Sequence, residues 1–340
     1  MIAKQSLTVT LIIMFLIVLV GCSTEITGNA ITVQEAEISV RLPVPVMGAH
    51  FTQYFASLDK GYYTDENLDV QFNFGDPQTN PIKMVAVGAD NIGLIGSPET
   101  LLIARSKGIP VKAIATFHRN SDFFVIITKK ESNITTLHDL KGKKVGFFYG
   151  HSSTDIIRHL LRKHDITVEE VNVGQDYSQF VADKLDAQFA FRTLAPITLS
   201  DKGIELNVIS PADYGVNTHG LTLFALEHTI EENPELIKKF LRATFKGTKF
   251  VLGNPDDALK SVLTREPELN PQLQRKQLDV FTKPISNSEE FPIGYMDDKM
   301  FAEAYARLLE EDLLENEFNV SEAFTTQFID EIHSESQLVQ

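Results

Sequence analysis

The stretch Thr136–Leu161, TLHDLKGKKVGFFYGHSSTDIIRHLL, joins a strand, a tight turn and a helix start in one short unit. Val145, Phe147 and Phe148 read as a buried strand, and Gly150 ends it. Beyond the turn, Ser152, Ser153 and Thr154 bring side-chain oxygens and unpaired backbone N–H groups to a helix start. The apolar pairs Ile156/Ile157 and Leu160/Leu161 give that helix one buried face. A helix N-terminus carries orphan N–H donors and the positive end of the macrodipole, so it suits a polar or anionic ligand group. An ordinary capped helix with nothing bound has the same local pattern, and the rest of the chain decides between the two.

Outward from this unit the same alternation continues on both sides. Towards the N-terminus, a strand begins at Ala36 and an apolar stripe follows at Phe51, Tyr54, Phe55 and Leu58, the i, i+3, i+4, i+7 spacing of a helix. Val70, Phe72 and Phe74 alternate as a strand. NIGLIG (91–96) is another strand, Ser97-Pro98-Glu99-Thr100 opens a helix, and VKAIATF (111–117) and FFVIIT (123–128) are further strands. Towards the C-terminus come VEEVNVG (168–174), a helix around YSQFVADKL, AQFAF (187–191), a helix after Pro196, LNVIS (206–210) and GLTLFAL (220–226). Only helices follow. Asn-Pro at 80–81, 233–234, 254–255 and 270–271 marks helix starts.

Strands alternating with helices predict an α/β protein with mainly parallel, mixed sheets flanked by helices. Two β/α halves followed by a helical third predict two lobes, residues 36–128 plus 220–335 and residues 129–219. The strands at 123–128 and 220–226 then serve as two hinge crossings. A crevice between two such lobes is a preferred small-molecule site.

The N-terminus predicts an address. An apolar run, LTVTLIIMFLIVLV, leads to Leu19-Val20-Gly21-Cys22. That pattern reads as an export signal over residues 1–22, with 23–35 a polar tether. The LVGC string resembles a lipobox, which implies a lipidated Cys22. A retained transmembrane anchor is the alternative, although the apolar run is shorter than the roughly 20 residues that span a bilayer. Either way the body lies on the outer face of the cytoplasmic membrane. Cys22 is the one cysteine of 340 residues, so the body has no disulfide, thiolate metal cluster or cysteine nucleophile. The net charge of −15, without a basic block, argues against nucleic acid as a partner.

KGYYTDENLDVQF, GADNIGLIGSPETLLIARSKGIPVKAIA, the opening stretch and ENPELIKKFLRATFKGTKFVLGNPDDALKSVL together resemble the substrate-binding proteins of ABC importers for nitrate, sulfonates, taurine and thiamin pyrimidine precursors. The resemblance spans about 36–330. VNVG (171–174) and ADYGVNTHGLTLFAL (212–226) are most similar to the pyrimidine-precursor branch. It implies a two-lobe type II periplasmic-binding-protein fold, a monomer, a small-molecule ligand between the lobes, a membrane permease as partner and no cofactor. It implies four ligand loops: His50, Phe51 and Gln53; Ser97 and Glu99; Ser152, Ser153 and Thr154; and Gln175, Asp176 and Tyr177. All lie past the carboxyl end of a predicted strand, where open α/β sheets bind ligands.

By type, Phe51 or Tyr177 suits stacking on a flat ring, and the Ser/Thr cluster suits anionic oxygens. Each has a plainer reading: Phe51 begins a core stripe, Glu99 complements a helix dipole, and His50 sits in a loop. The chain departs from the pyrimidine branch in having no Trp and in reading FAFRTLAP, with Ala195 near an expected Glu. Arg192 in that segment suits a carboxylate or phosphate if it faces the crevice. An anionic or different heterocyclic ligand, such as a sulfonate, nitrate or a flavin precursor, is therefore the alternative to a thiamin pyrimidine precursor.

Another branch of the superfamily makes the thiamin pyrimidine and needs a cysteine-rich metal motif plus histidines, which this chain does not supply. His159 and His164 lie about 140° apart on a helix and form no ready metal pair. Neither a G-x-S-x-G elbow nor a phosphate-binding G-x-x-x-x-G-K-[ST] loop is present. The chain is thus expected to have no catalytic residue and no metal. A sensory binding lipoprotein would share the fold and stays open.

Overall fold

The computed structural model describes residues 35–338, apart from 45–46, 77, 120–122, 150–151, 175 and 287–290. The readings on the export signal, Cys22, nearly all of the tether and Gln175 lie outside the described residues, as does the side chain of Ser152.

Ten strands form two five-stranded sheets. They are β1 (Ala36–Leu42), β2 (Leu68–Phe74), β3 (Ile92–Ile95), β4 (Val111–His118), β5 (Phe124–Lys129), β6 (Lys144–Phe147), β7 (Glu169–Asn172), β8 (Ala187–Phe191), β9 (Leu206–Ile209) and β10 (Gly220–Leu226). The first sheet has the order β2-β1-β3-β10-β4 and the second β7-β6-β8-β5-β9. β1 pairs in parallel with β2 and β3, while β10 is antiparallel to β3 and β4. In the second sheet β6 pairs in parallel with β7 and β8, and β5 is antiparallel to β8 and β9. The two sheets therefore repeat one plan: a parallel set with a single reversed strand, second from one edge. The reversed strand of each sheet is the one that follows a passage from the other.

FFVIIT corrects the predicted hinge. As β5 it belongs wholly to the second sheet, with Phe124 opposite Phe191 and Ile126 opposite Ile209. The chain leaves the first sheet after His118 and joins the second at Phe124, and it returns to the first at Gly220. A fully apolar run has no alternation, and nothing in its pattern says which of two sheets buries it.

Each sheet has its own apolar core. One gathers Tyr54, Leu94, Phe224 and Phe240; the other gathers Ile126, Phe147, Ile157 and Phe189. Phe123 packs against both. The helix Ser152–Lys163 buries Ile156, Ile157, Leu160 and Leu161, the face its sequence predicts. Of the Asn-Pro starts, Asn80 and Asn270 accept from backbone N–H groups of Lys83 and Leu273 at 3.0 and 2.9 Å. Asn233 and Asn254 make no side-chain cap.

The C-terminal helices brace the first sheet. Gly247 lets the helix Pro234–Gly253 approach the helix Thr52–Asp59 closely, since a Cβ there would lie 1.8 Å from Ser57 Oγ and 2.7 Å from the Gln53 carbonyl oxygen. Tyr63 stacks on Phe240 at 5.6 Å and its hydroxyl meets Thr244 Oγ1 at 2.9 Å.

Candidate functional site

The strand directions bring the carboxyl ends of β1, β3 and β4 to one edge of the first sheet, together with the start of β10. The carboxyl ends of β6, β7, β8 and β9 and the start of β5 share one edge of the second. The end of β4 at His118, the start of β5 at Phe124 and the start of β10 at Gly220 all lie on these edges. The predicted loops all leave from them.

On the first sheet, Ala49–Phe51 makes one 3-10 turn that runs into the helix Thr52–Asp59. Gln274 Oε1 accepts from Ala49 N–H at 2.7 Å and ties this turn to the helix Pro271–Ser286. His50 stands beside Phe51 with ring centroids 4.1 Å apart. Burial lowers its pKa to about 4, so the ring is neutral at pH 7. The side-chain atoms His50 Nε2, Gln53 Nε2 and Tyr54 OH are buried without a hydrogen-bond partner among the described residues. Ser97 precedes the helix Pro98–Ser106 but its side chain makes no cap, and its buried Oγ is likewise unpartnered. Glu99 is 1% exposed; its Oε1 accepts from Arg307 Nη2 at 2.6 Å, and its Oε2 has no such bond.

At the passages, His118 ends β4 and lies between Phe281 and Phe123, at ring distances of 4.6 and 5.3 Å. Burial lowers its pKa to about 3. Arg119 pairs with Asp297, and its guanidinium lies 3.9 Å from the Phe291 ring centroid. His219 is buried, with a pKa lowered to about 4 chiefly by that burial; Glu99, Arg307, Arg119 and Asp297 all act on it.

On the second sheet, Tyr177 has its hydroxyl buried and unpartnered among the described residues, and burial raises its pKa. Gln188 in β8 is fully buried: its Nε2 donates to the Asp176 carbonyl at 3.1 Å and its Oε1 has no partner among the described residues. Ser153 is buried and engaged in an interaction of its own, as is the half-buried Arg192.

Several predicted residues are occupied elsewhere. Phe51 is fully buried and packs on Phe74 and Tyr54 at 6.1 and 6.5 Å, the core reading of its stripe. Thr154 Oγ1 donates to the Phe148 carbonyl at 2.7 Å. Asp176 is exposed and its Oδ1 accepts from Ser178 N–H at 2.8 Å and from the Ser178 hydroxyl, which lower its pKa. The residues that sequence reasoning missed are Tyr54, Gln188, His118, Arg119, His219 and Arg307. One signal was available for Gln188, a lone amide inside the apolar strand AQFAF.

Residues 49–258 match the family described as NMT1/THI5 like. The chain belongs to the NMT1/THI5-like family. Among relatives, it is 28% identical over 297 residues to the riboflavin-binding protein RibY of Chloroflexus aurantiacus, with 82% of each chain covered. It is 26% identical over 333 residues to the formylaminopyrimidine-binding protein of Halalkalibacterium halodurans, covering 95% of this chain and 99% of the other. A shorter match, 26% over 240 residues, is a 4-amino-5-hydroxymethyl-2-methylpyrimidine phosphate synthase of Saccharomyces cerevisiae, covering 66% of this chain and 69% of that one. In fold this NMT1/THI5-like chain is similar to the periplasmic aliphatic sulphonate-binding protein SsuA of Escherichia coli, with a TM-score of 0.69 at 15% identity, covering 85% and 92% of the two chains. The two-sheet architecture is thus the periplasmic-binding-protein fold. No helix among the described residues is long and apolar enough to cross a membrane.

Proposed function

We propose that this chain is an extracytoplasmic solute-binding lipoprotein of an ABC importer, which captures a small neutral heterocycle, of the thiamin pyrimidine-precursor or flavin kind, between its two sheets. The observation that carries this reading is the character of the buried polar groups at and near the strand-end edges of the two sheets. His50, Gln53, Tyr54, Ser97, Tyr177 and Gln188 are all uncharged at pH 7, and each has a buried polar atom without a partner among the described residues. Such groups cost about 1–3 kcal/mol each when left unmade, and a ligand rich in ring nitrogens, amides and carbonyls would satisfy them. The charged groups beside them are paired within the protein, Glu99 with Arg307 and the half-buried Arg119 with Asp297, although Glu99 Oε2, Arg119 Nε and Arg307 Nε have no hydrogen-bond partner among the described residues.

This pairing disfavours a sulfonate or nitrate, for which the likeness to SsuA speaks only at the level of fold. The riboflavin- and formylaminopyrimidine-binding relatives point the same way. In this reading residues 36–118 plus 220–335 make one lobe and 124–214 the other. A ligand touching both edges stabilises the closed arrangement, which docks on a permease. Binding proceeds without covalent chemistry, and Cys22 carries the lipid that holds the protein at the membrane's outer face.

A thermal-shift screen of riboflavin, formylaminopyrimidine, an alkanesulfonate and nitrate tests the proposal. A true ligand at about 100 times its Kd adds roughly 2.7 kcal/mol of stability. Stabilisation by a heterocycle supports the reading; stabilisation by the sulfonate alone, or turnover of any compound, overturns it.

A further inference from the structure

Next to the Glu99–Arg307 pair, side chains of the two halves meet at a charged seam. The helix Ser152–Lys163 of the second half faces the end of the helix Asp298–Glu310 of the first. Glu311, only 10% exposed, accepts from Arg162 Nε at 3.1 Å and lies 3.1 Å from His159 Nδ1. A second Arg162 contact, through Nη2, reaches its other oxygen. Glu310 lies 3.6 Å from the same His159 nitrogen. Beside these contacts is a cavity of about 10 Å³ lined from both halves, by Asp155 and His159 on one side and Glu99, Arg307 and Glu311 on the other. Its size suits about one water molecule.

We propose that Glu311 is a closing latch: a carboxylate carried by one half that is desolvated only when the halves come together and that relies on Arg162 of the other half for its countercharge. Burial lowers the pKa of His159, with Glu310 opposing and Arg307, Lys163 and Arg162 assisting, so at neutral pH Arg162 is the cation that faces Glu311. Most surface ion pairs contribute little because both partners stay hydrated in either state. Here the carboxylate is nearly buried, and removing its cation leaves an uncompensated charge in the closed arrangement alone. The contact thus biases the equilibrium between open and closed forms rather than the stability of either lobe. Glu311 caps the helix whose last turn carries Arg307, which holds Glu99 in the candidate site, so one element links the ligand crevice to the seam.

This inference rests on the two-lobe reading above, and its test uses a separate readout. Spin labels at Lys184→Cys and Lys249→Cys, both exposed and one in each half, report the distance between halves in the full chain carrying Cys22→Ser, in detergent. Arg162→Ala is the informative variant because that side chain is 56% exposed and its truncation leaves the fold intact. Glu311→Gln is the second. Arg162→Ala is expected to lower the ratio of short to long distances by at least about threefold, and Glu311→Gln, which also removes the carboxylate whose burial needs a countercharge, to lower it less. Distance distributions unchanged in both variants overturn the latch. Failure of every heterocycle in the thermal-shift screen faults the binding reading instead, whatever the labels show.

Discussion

Arg307→Met isolates the energetics of the charge buried at the candidate site. Glu99 is 1% exposed and its Oε1 takes a 2.6 Å hydrogen bond from Arg307, whose side chain is 11% exposed. Methionine keeps most of the apolar stem and removes the countercharge. Breaking a buried pair from one side typically costs about 3–5 kcal/mol, because the remaining charge is left uncompensated. Glu99 sits in the first turn of the helix Pro98–Ser106, where the macrodipole offsets part of that loss. The expected cost is therefore about 3 kcal/mol, read as a shift in the urea midpoint at pH 7. Glu99→Gln combined with Arg307→Met should recover much of the stability, since no unpaired charge then remains. A single variant as stable as wild type at pH 7, or a double variant less stable than the single, would show that Glu99 does not depend on Arg307 for its countercharge.

Gly247→Ala should lower stability by about 1–3 kcal/mol, because the new Cβ meets Ser57 Oγ and the Gln53 carbonyl and the two helices must part; thermal unfolding reads it. Ser97→Ala should leave the urea midpoint nearly unchanged, since the hydroxyl makes no hydrogen bond among the described residues, but should weaken ligand binding by about 1 kcal/mol in calorimetric titration. The buried histidines set an acid limit. His50 and His219 have pKa values lowered to about 4 and His118 to about 3, from 6.5. The folded state resists their protonation while the unfolded state accepts it, so stability should be level above pH 6.5 and fall from there towards pH 4. His118→Phe should flatten that fall; a slope identical to wild type would remove His118 from the account.

The fold was largely legible because its periodicity is clean. The opening stretch became β6 and the helix Ser152–Lys163 with its predicted face buried. The error at FFVIIT arose where every side chain is apolar and the pattern carries no direction. The site was half legible. His50, Gln53, Ser97, Glu99 and Tyr177 follow strands, and topology alone places such positions at the edges. Arg307 and His219 come from a distant helix and a passage, which only the tertiary structure brings to Glu99. Phe51 could not be assigned in advance, since a ring that begins an apolar stripe is equally suited to core and ligand.

The central claim, that one neutral heterocycle is gripped from both sheets by uncharged groups, is tested most directly by calorimetric titration of riboflavin and formylaminopyrimidine into wild type, Ser97→Ala and Tyr177→Phe. One of the two compounds should bind wild type, and both variants, one from each sheet, should bind that same compound more weakly. Undiminished affinity in both variants, or binding of an alkanesulfonate in place of either heterocycle, would contradict it.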